Sequence, residues 1–336
     1  MKQYLAGIDV GGTKIEATIA TTGNETVGRA VIATDNSGGE GLLRTIRLAL
    51  DQALAHAGMT IDQLAAVGLG VPGQVDRDRG IVRLAVNLNL TSFPLGAELA
   101  QGLGDCPVVV ENDVRLAAMG VYRYLRQAGT ARGTARDALH SVAYLSIGTG
   151  ISAGVVCQGE LYRGANGMAG EIGHIVVDPD GPLCNCGLRG CLETVASGPA
   201  IASQARPFLS PNGPDDACPL PSTAAVYEAA QQGHPQAVEL IERTSIYISR
   251  AIHLLAMTYD VERIVIGGGV TGAGDAFWNP VAAQLAHLRR QSPLAASMLP
   301  PERVITLSEE INPGVLGALA LAEQAASDRF LTSRTP

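Results

Sequence analysis

Four residues share types and a spacing that fit one task. His174 is followed by Cys184, Cys186 and Cys191. One imidazole and three thiolates make the soft four-donor set of closed zinc sites. Gly187 and Gly190 lie among the cysteines and permit the tight turns needed to gather them. Unligated buried thiols are the competing reading, and clustering within eight residues argues against it. Cys106, Cys157 and Cys218 are scattered through apolar or loop segments and read as structural.

Three glycine turns form a second group. In Asp9-Val-Gly-Gly-Thr-Lys14 an apolar run delivers a carboxylate to a turn. Gly11 and Gly12 let backbone approach an anion, Thr13 adds a hydroxyl, and Lys14 adds a charge. Asp9 suits Mg²⁺ or its water shell. An ordinary hairpin turn explains the same residues. Ile147-Gly148-Thr149-Gly150-Ile-Ser152 repeats the logic with Thr149 as the hydroxyl donor. Alone it is weak; paired with the first it suggests two phosphate clips. Val265-Ile-Gly267-Gly268-Gly269 leaves room for a flat group such as adenine or ribose, or is a plain turn.

Val109-Val-Glu-Asn112-Asp113 ends a predicted strand and opens a predicted helix. Asp113 is either an N-cap, the commoner use of such a residue, or a general base at a strand end. Asn112 beside it offers a donor and an acceptor to a sugar hydroxyl.

The elements carrying these residues alternate. Strands are expected at Tyr4–Val10, Ile15–Ala20 and Val27–Ala33, then a helix at 41–56 and a strand at 65–71. Helices at 94–103 and 113–125 flank a strand at 108–110, and polar Gln127–Ala138 reads as a loop whose Arg132 and Arg136 form a solvated face. A second cycle starts with strands at 141–147 and 152–157. Proline-rich Pro207–Pro221 is expected to be a loop, followed by helices at 223–232 and 237–259, a strand at 264–266, a helix at 277–290, a strand at 304–307 and a helix at 314–325. The two cycles resemble one another, a weak internal duplication that suggests two similar lobes with a ligand cleft between them.

Composition bounds the function. The 336 residues are 46% hydrophobic but only 4% aromatic, so the core is aliphatic. At ~150 residues per domain this is about two domains. A net charge of -8 argues against a general nucleic-acid binder, which needs clustered cations. No segment reaches the ~20 apolar residues of a membrane span. Charges at Asp9 and Lys14 argue against a secretory signal, so the expected compartment is the cytoplasm, where disulfides are uncommon.

With these residues assembled, the sequence resembles the ROK family of sugar kinases and repressors over nearly its whole length. The Asp9–Lys14 turn, Gly70-Val-Pro-Gly73, Glu111-Asn-Asp113 and Ile147–Gly154 match four family blocks. Glu171-Ile-Gly-His174 and Cys184-Asn-Cys186-Gly-Leu-Arg-Gly-Cys191-Leu-Glu193 match its most specific signature. The resemblance implies an α/β, two-lobed, actin-like and hexokinase-like (ribonuclease H-like) fold. One lobe would span 1–113, joined by a helix at 314–336, and the other 114–313. It implies ATP and catalytic Mg²⁺, a structural Zn²⁺, and a hexose phosphorylated at its 6-hydroxyl with Asp113 taking the proton. Sugar contacts are implied for Asn87, Asn112, Asp113, Glu171, His174 and Glu193. His174 would have one ring nitrogen on zinc and the other toward the sugar. ATP contacts are implied for Asp9, Gly11, Gly12, Thr13, Lys14, Gly148, Thr149, Gly150, Gly267, Gly268 and Gly269.

Departures from the family pattern are Ala118-Met-Gly-Val121 in the helix after Asp113, Leu90 where an aromatic is common, and the stretch 127–138. The resemblance implies a homo-oligomer, dimer or tetramer; from the charge and the apolar run lengths no nucleic-acid or membrane partner is expected. Glucose is the first expected sugar; N-acetylglucosamine, N-acetylmannosamine and fructose are alternatives. A sugar-responsive regulator is a reading from another class, and a strand starting near Tyr4 leaves no room before it for a helix-turn-helix. An actin-like ATPase is a third, for which the His-Cys cluster has no use.

Overall fold

The computed structural model of the chain describes residues 4–23, 25–131, 139–210, 219–308 and 310–332. The strands β1 (Tyr4–Val10), β2 (Lys14–Thr21) and β3 (Thr26–Ala33) come first, then α1 (Gly39–Ala57) and β4 (Leu64–Val71). Next are β5 (Gln74–Asp76), β6 (Ile81–Ala85), β7 (Leu90–Phe93), α2 (Leu95–Ala100), β8 (Val108–Asn112) and α3 (Asp113–Ala131). The second cycle opens with β9 (Ser141–Ile147), β10 (Ile151–Cys157) and β11 (Glu160–Leu161). Helices α4 (Leu192–Ala196), α5 (Gly198–Leu209), α6 (Thr223–Gln231) and α7 (Pro235–Tyr259) follow. The chain then makes β12 (Arg263–Gly267), α8 (Asp275–Gln291), α9 (Pro293–Met298), β13 (Val304–Thr306) and α10 (Pro313–Thr332).

Two five-stranded sheets have the same plan. One has the order β3-β2-β1-β4-β8, the other β11-β10-β9-β12-β13. In each, an antiparallel hairpin is extended on one side by parallel strands. β1 and β9 even share one pattern of buried and half-buried residues. A small antiparallel sheet, β5-β6-β7, is added after β4.

The chain divides into two compact units. Unit 1 is Met1–His140, Gly154–Ala169 and Asn312–Pro336; unit 2 is Ser141–Ala153 and Gly170–Ile311. The division was expected at 113/114 and 313/314; the chain passes between these units at 140/141, 153/154, 169/170 and 311/312. Close packing of α3 on α10 is the reason that α3 belongs to unit 1. A Cβ on Gly120 would overlap the Pro313 carbonyl, and one on Gly317 the Leu116 carbonyl. Glycine at both positions lets the helix backbones touch, and the Arg123–Glu323 ion pair ties the same two helices. Helix α10 is buried over most of its surface, at Val315 and from Ala318 to Ala322, so it reads as apolar nearly all round.

In unit 1 the sheet is covered on both faces. Leu42, Ile46, Leu50 and Leu54 of α1 join Ile8, Val10, Ile15 and Ile19 in one core. Leu5, Ala66, Val315 and Leu319 form another under α10. In unit 2, α7 buries Leu240, Ile241, Ile248, Ile252 and Leu255 at helical spacing. Side chains of Ser197 and Ser222 cap α5 and α6.

Several elements differ from the sequence expectation. Helix α3 continues to Ala131, where a loop was expected from Gln127. Arg126 donates to the Tyr122 hydroxyl one turn back (3.1 Å), which supports the extra length. Residues 132–138, with Arg132 and Arg136, lie outside the described residues, as does Cys218. Pro207, expected in a loop, sits inside α5. The short elements β5, β6, β7, α4 and α9 were not anticipated.

Candidate active site

In unit 1, β1, β4 and β8 run parallel and end at one edge. Asp9 pairs with Gly70, and Gly70 with Glu111, so Asp113 lies just beyond the end of the same row. A strand's carboxyl end is where such sheets place ligands. A Cβ on Gly70 would sit 3.5 Å from the Asp113 backbone and 3.8 Å from Asp9 Oδ1, so glycine keeps the space between the two acids open.

Asp113 is the first residue of α3. Its Oδ1 accepts from its neighbour Val114 N (2.9 Å) and from Asn112 Nδ2 (3.0 Å). Burial first, and the charge of Asp9 second, push Asp113 from 3.8 up to about 7. Burial likewise lifts Asp9 to about 6, against a hydrogen bond from Asn312. A carboxylate near 7 is matched to proton transfer at physiological pH, as an ordinary cap is not.

Asn112 is more committed than its expected sugar role suggested. Both its N–H groups are used, on Gly73 O (3.1 Å) and on Asp113, and its Oδ1 accepts from Arg115 N (3.0 Å). It holds Asp113 in place. Behind it, buried Glu111 accepts from Arg115 Nε (3.1 Å) and Arg163 Nε (2.7 Å). Burial alone would raise Glu111, but the Arg163 hydrogen bond and the two arginine charges prevail and hold it low. Removing either partner of such a buried pair costs about 3–5 kcal/mol.

The turn after β1 is pinned by residues the sequence did not single out. Thr34 Oγ1 donates to Gly11 O (2.8 Å), Asn36 Nδ2 to Gly12 O (2.9 Å), and Thr34 N to Thr13 O (3.0 Å). Thr13 and Lys14 are exposed. Asn312 caps α10 through Gly314 N and Val315 N, and its Nδ2 reaches Glu16 Oε2 (3.1 Å). An Asn-Pro pair before an apolar run is an N-terminal helix signal and could have found Asn312. Asn87 lies exposed in a short turn after β6. The preceding Leu84 and Ala85 pack on Gly73.

In unit 2 the four expected metal ligands come together. Their donor atoms all lie within 4.8 Å of one another. His174 Nδ1 is 3.5 Å from Cys184 Sγ, and Cys186 Sγ is 3.6 Å from Cys191 Sγ. Bonds of about 2.0–2.3 Å in a tetrahedron give edges of roughly 3.5–3.8 Å, so these spacings fit zinc. Gly187 and Gly190 have φ of +93° and +67° and turn the chain between the cysteines. Burial first, then the neighbouring thiols, push Cys191 to about 12, whereas the Leu188 N–H pulls Cys186 below its ordinary value. A thiolate at Cys191 therefore calls for a cation beside it.

Gly148–Gly150 and Gly267–Gly269 also meet within unit 2. Gly268, at φ +96°, is packed on the Ile147 backbone, and a Cβ on Gly148 would lie 3.7 Å from Gly269 N. Thr149 is exposed. Glu171 opens the short turn that carries His174, whose N–H bonds to Glu171 O (3.2 Å). Glu193, expected at the sugar, accepts from Ile151 N (3.0 Å) through Oε2.

A sequence profile described as the ROK family matches residues 5–325. The chain is 36% identical over 287 residues to a glucokinase of Halalkalibacterium halodurans, spanning 83% of this chain and 84% of that one. It is 34% identical over 278 residues to an N-acetylmannosamine kinase of Yersinia pseudotuberculosis, spanning 82% and 87%. It matches the structure of a ROK family glucokinase from Streptomyces griseus in complex with glucose and AMPPNP, with a TM-score of 0.73 and 30% identity over 96% of this chain and 99% of that one.

Proposed function

The chain belongs to the ROK family, and from that premise we propose that it is an ATP-dependent hexose kinase that phosphorylates glucose at its 6-hydroxyl. The observation that carries this reading is Asp113: a carboxyl group at a strand end, held by Asn112 and raised to about 7.

Phosphoryl transfer needs positioning and charge neutralisation more than covalent help. Asp113 orients the hydroxyl and accepts its proton. Gly11–Lys14, Gly148–Gly150 and Gly267–Gly269 contact the nucleotide, with Lys14 supplying positive charge. Asp9 is the residue that would hold Mg²⁺, which neutralises phosphate charge when bound. Asn87, Glu171, His174 and Glu193 contact the sugar. A sugar lacking the matching hydroxyls leaves such groups unpaired, which is the source of discrimination.

His174, Cys184, Cys186 and Cys191 would hold zinc, whose part is to cross-link the loop that presents Glu171 and His174. The protein works in the cytoplasm as a homo-oligomer. Among the described residues, no helix is long and apolar enough to cross a membrane.

A second reading, an N-acetylmannosamine kinase, is favoured by the 34% identical relative. A sugar panel decides between them: kcat/KM with ATP and Mg²⁺ for glucose, N-acetylmannosamine, N-acetylglucosamine and fructose. Glucose is expected to lead. Preference for N-acetylmannosamine selects the second reading, and no ADP formation with any of the sugars overturns both.

A further inference from the structure

Glu193 lies two residues after the metal-cluster residue Cys191, yet its carboxylate ends on the second glycine turn. We propose that the His-Cys cluster, acting through Glu193, sets the shape of Gly148–Gly150, so that Glu193 is a positioning residue for the nucleotide phosphates. The inference rests on the reading above that this turn contacts ATP.

Two arms leave the cluster. One is Gly170–His174, the other Cys191–Glu193. They are joined at the cluster itself, where Cys191 Sγ lies 3.4 Å from His174 O. Just beyond, Leu192 N donates to Ile175 O (2.9 Å), and Val176 bridges to Cys191.

Both arms seat on the same three residues, Ile151–Ala153, where β10 leaves the turn. Glu193 Oε2 accepts from Ile151 N (3.0 Å). Gly170 O accepts from Ala153 N (2.8 Å) and Ser152 Oγ (3.3 Å). A Cβ on Gly173 would overlap the Ile151 carbonyl, and one on Gly150 would run into the Glu193 carboxylate. The other end of the turn is held from the same stretch of chain, because Gly198 N donates to Gly148 O (2.9 Å). A metal that fixes the two arms thereby fixes the first residues after the turn. A hydrogen bond to a charged acceptor is stronger than a neutral one, so loss of this contact is measurable.

The test uses amide hydrogen exchange, which needs no catalysis, together with steady-state kinetics on the metal-loaded protein. Glu193→Ala is expected to speed exchange at Ile151 about tenfold and to raise KM for ATP about tenfold. Glu193→Gln keeps a carbonyl oxygen for the Ile151 N–H and is expected to restore both. Chelation of the metal from the unmutated protein is expected to speed exchange at Ile151, and to add little in Glu193→Ala. Unchanged exchange in Glu193→Ala overturns the coupling, whatever the protein phosphorylates. Faster exchange with unchanged KM for ATP overturns the turn's nucleotide role. A Glu193→Gln variant as impaired toward ATP as Glu193→Ala also overturns it, since that result assigns the carboxylate charge and not the hydrogen bond. Absence of any hexose phosphorylation by the unmutated protein is the separate failure of the kinase reading.

Discussion

The turns after β1 and after β9 are each three residues long, close strands with one burial pattern, and belong to sheets of one strand order. Their chemistry differs. One residue before the last of β1 stands Asp9; at the same place in β9 stands Ser146. Beyond β8, unit 1 adds Asp113. In unit 2 no acid comes from the end of β9, and a carboxylate arrives from outside the sheet, on Glu193, to hold backbone. The same scaffold thus carries a pair of buried acids in one unit and, in the other, a turn braced by Glu193 from the chain beside the His-Cys cluster. Paired carboxylates raised by burial destabilise a fold, and one unit concentrates that cost.

The sharpest way to break this contrast is to remove the acid beyond β8 in one unit and the strand-end hydroxyl of β9 in the other. Asp113→Asn is expected to lower kcat by about a thousandfold in a coupled ADP assay, whereas Ser146→Ala stays within about threefold. A large loss in Ser146→Ala would mean that both units carry chemistry. Next in size, Cys186→Ser is expected to lose metal, read by metal analysis, and to lower kcat/KM for the hexose by about 10- to 100-fold. Full metal content in that variant would remove Cys186 from the ligand set.

Much of this contrast was legible in sequence. Glycine runs after apolar segments mark strand ends, and a His with three closely spaced Cys has few other uses, so β1, β4, β9, β12 and the cluster could be placed. The unit boundary could not, because it depends on Gly120 and Gly317 meeting across 197 positions of chain. Asn112 and Glu193 show a similar limit. No local pattern reveals that Asn112 bonds to Gly73, Asp113 and Arg115, or that Glu193 Oε2 accepts from Ile151 N. Arg163 reaches Glu111 from 52 positions away, a contact no local pattern reveals. Short strands such as β5, and a helix with proline inside such as α5, escape periodicity because they offer too few repeats or a breaker residue.

The smallest expected effect concerns stability. Asp113 has its folded value raised from 3.8 to about 7, so its contribution is present below about 4 and is lost as pH rises through 7. Asp113→Asn removes this titration. Its melting temperature is expected to exceed that of the unmutated protein by a few degrees at pH 8 and to match it near pH 4. An unchanged difference across that range would mean the acid is not strained by burial.

The pH dependence of kcat/KM for the hexose, in the unmutated protein and in Asp113→Asn, addresses the assignment of the base most directly. A base that must be ionised predicts a tenfold fall per pH unit below about 7, and no such limb in the residual activity of the variant. A flat profile down to pH 5, or the same limb persisting in Asp113→Asn, would contradict it.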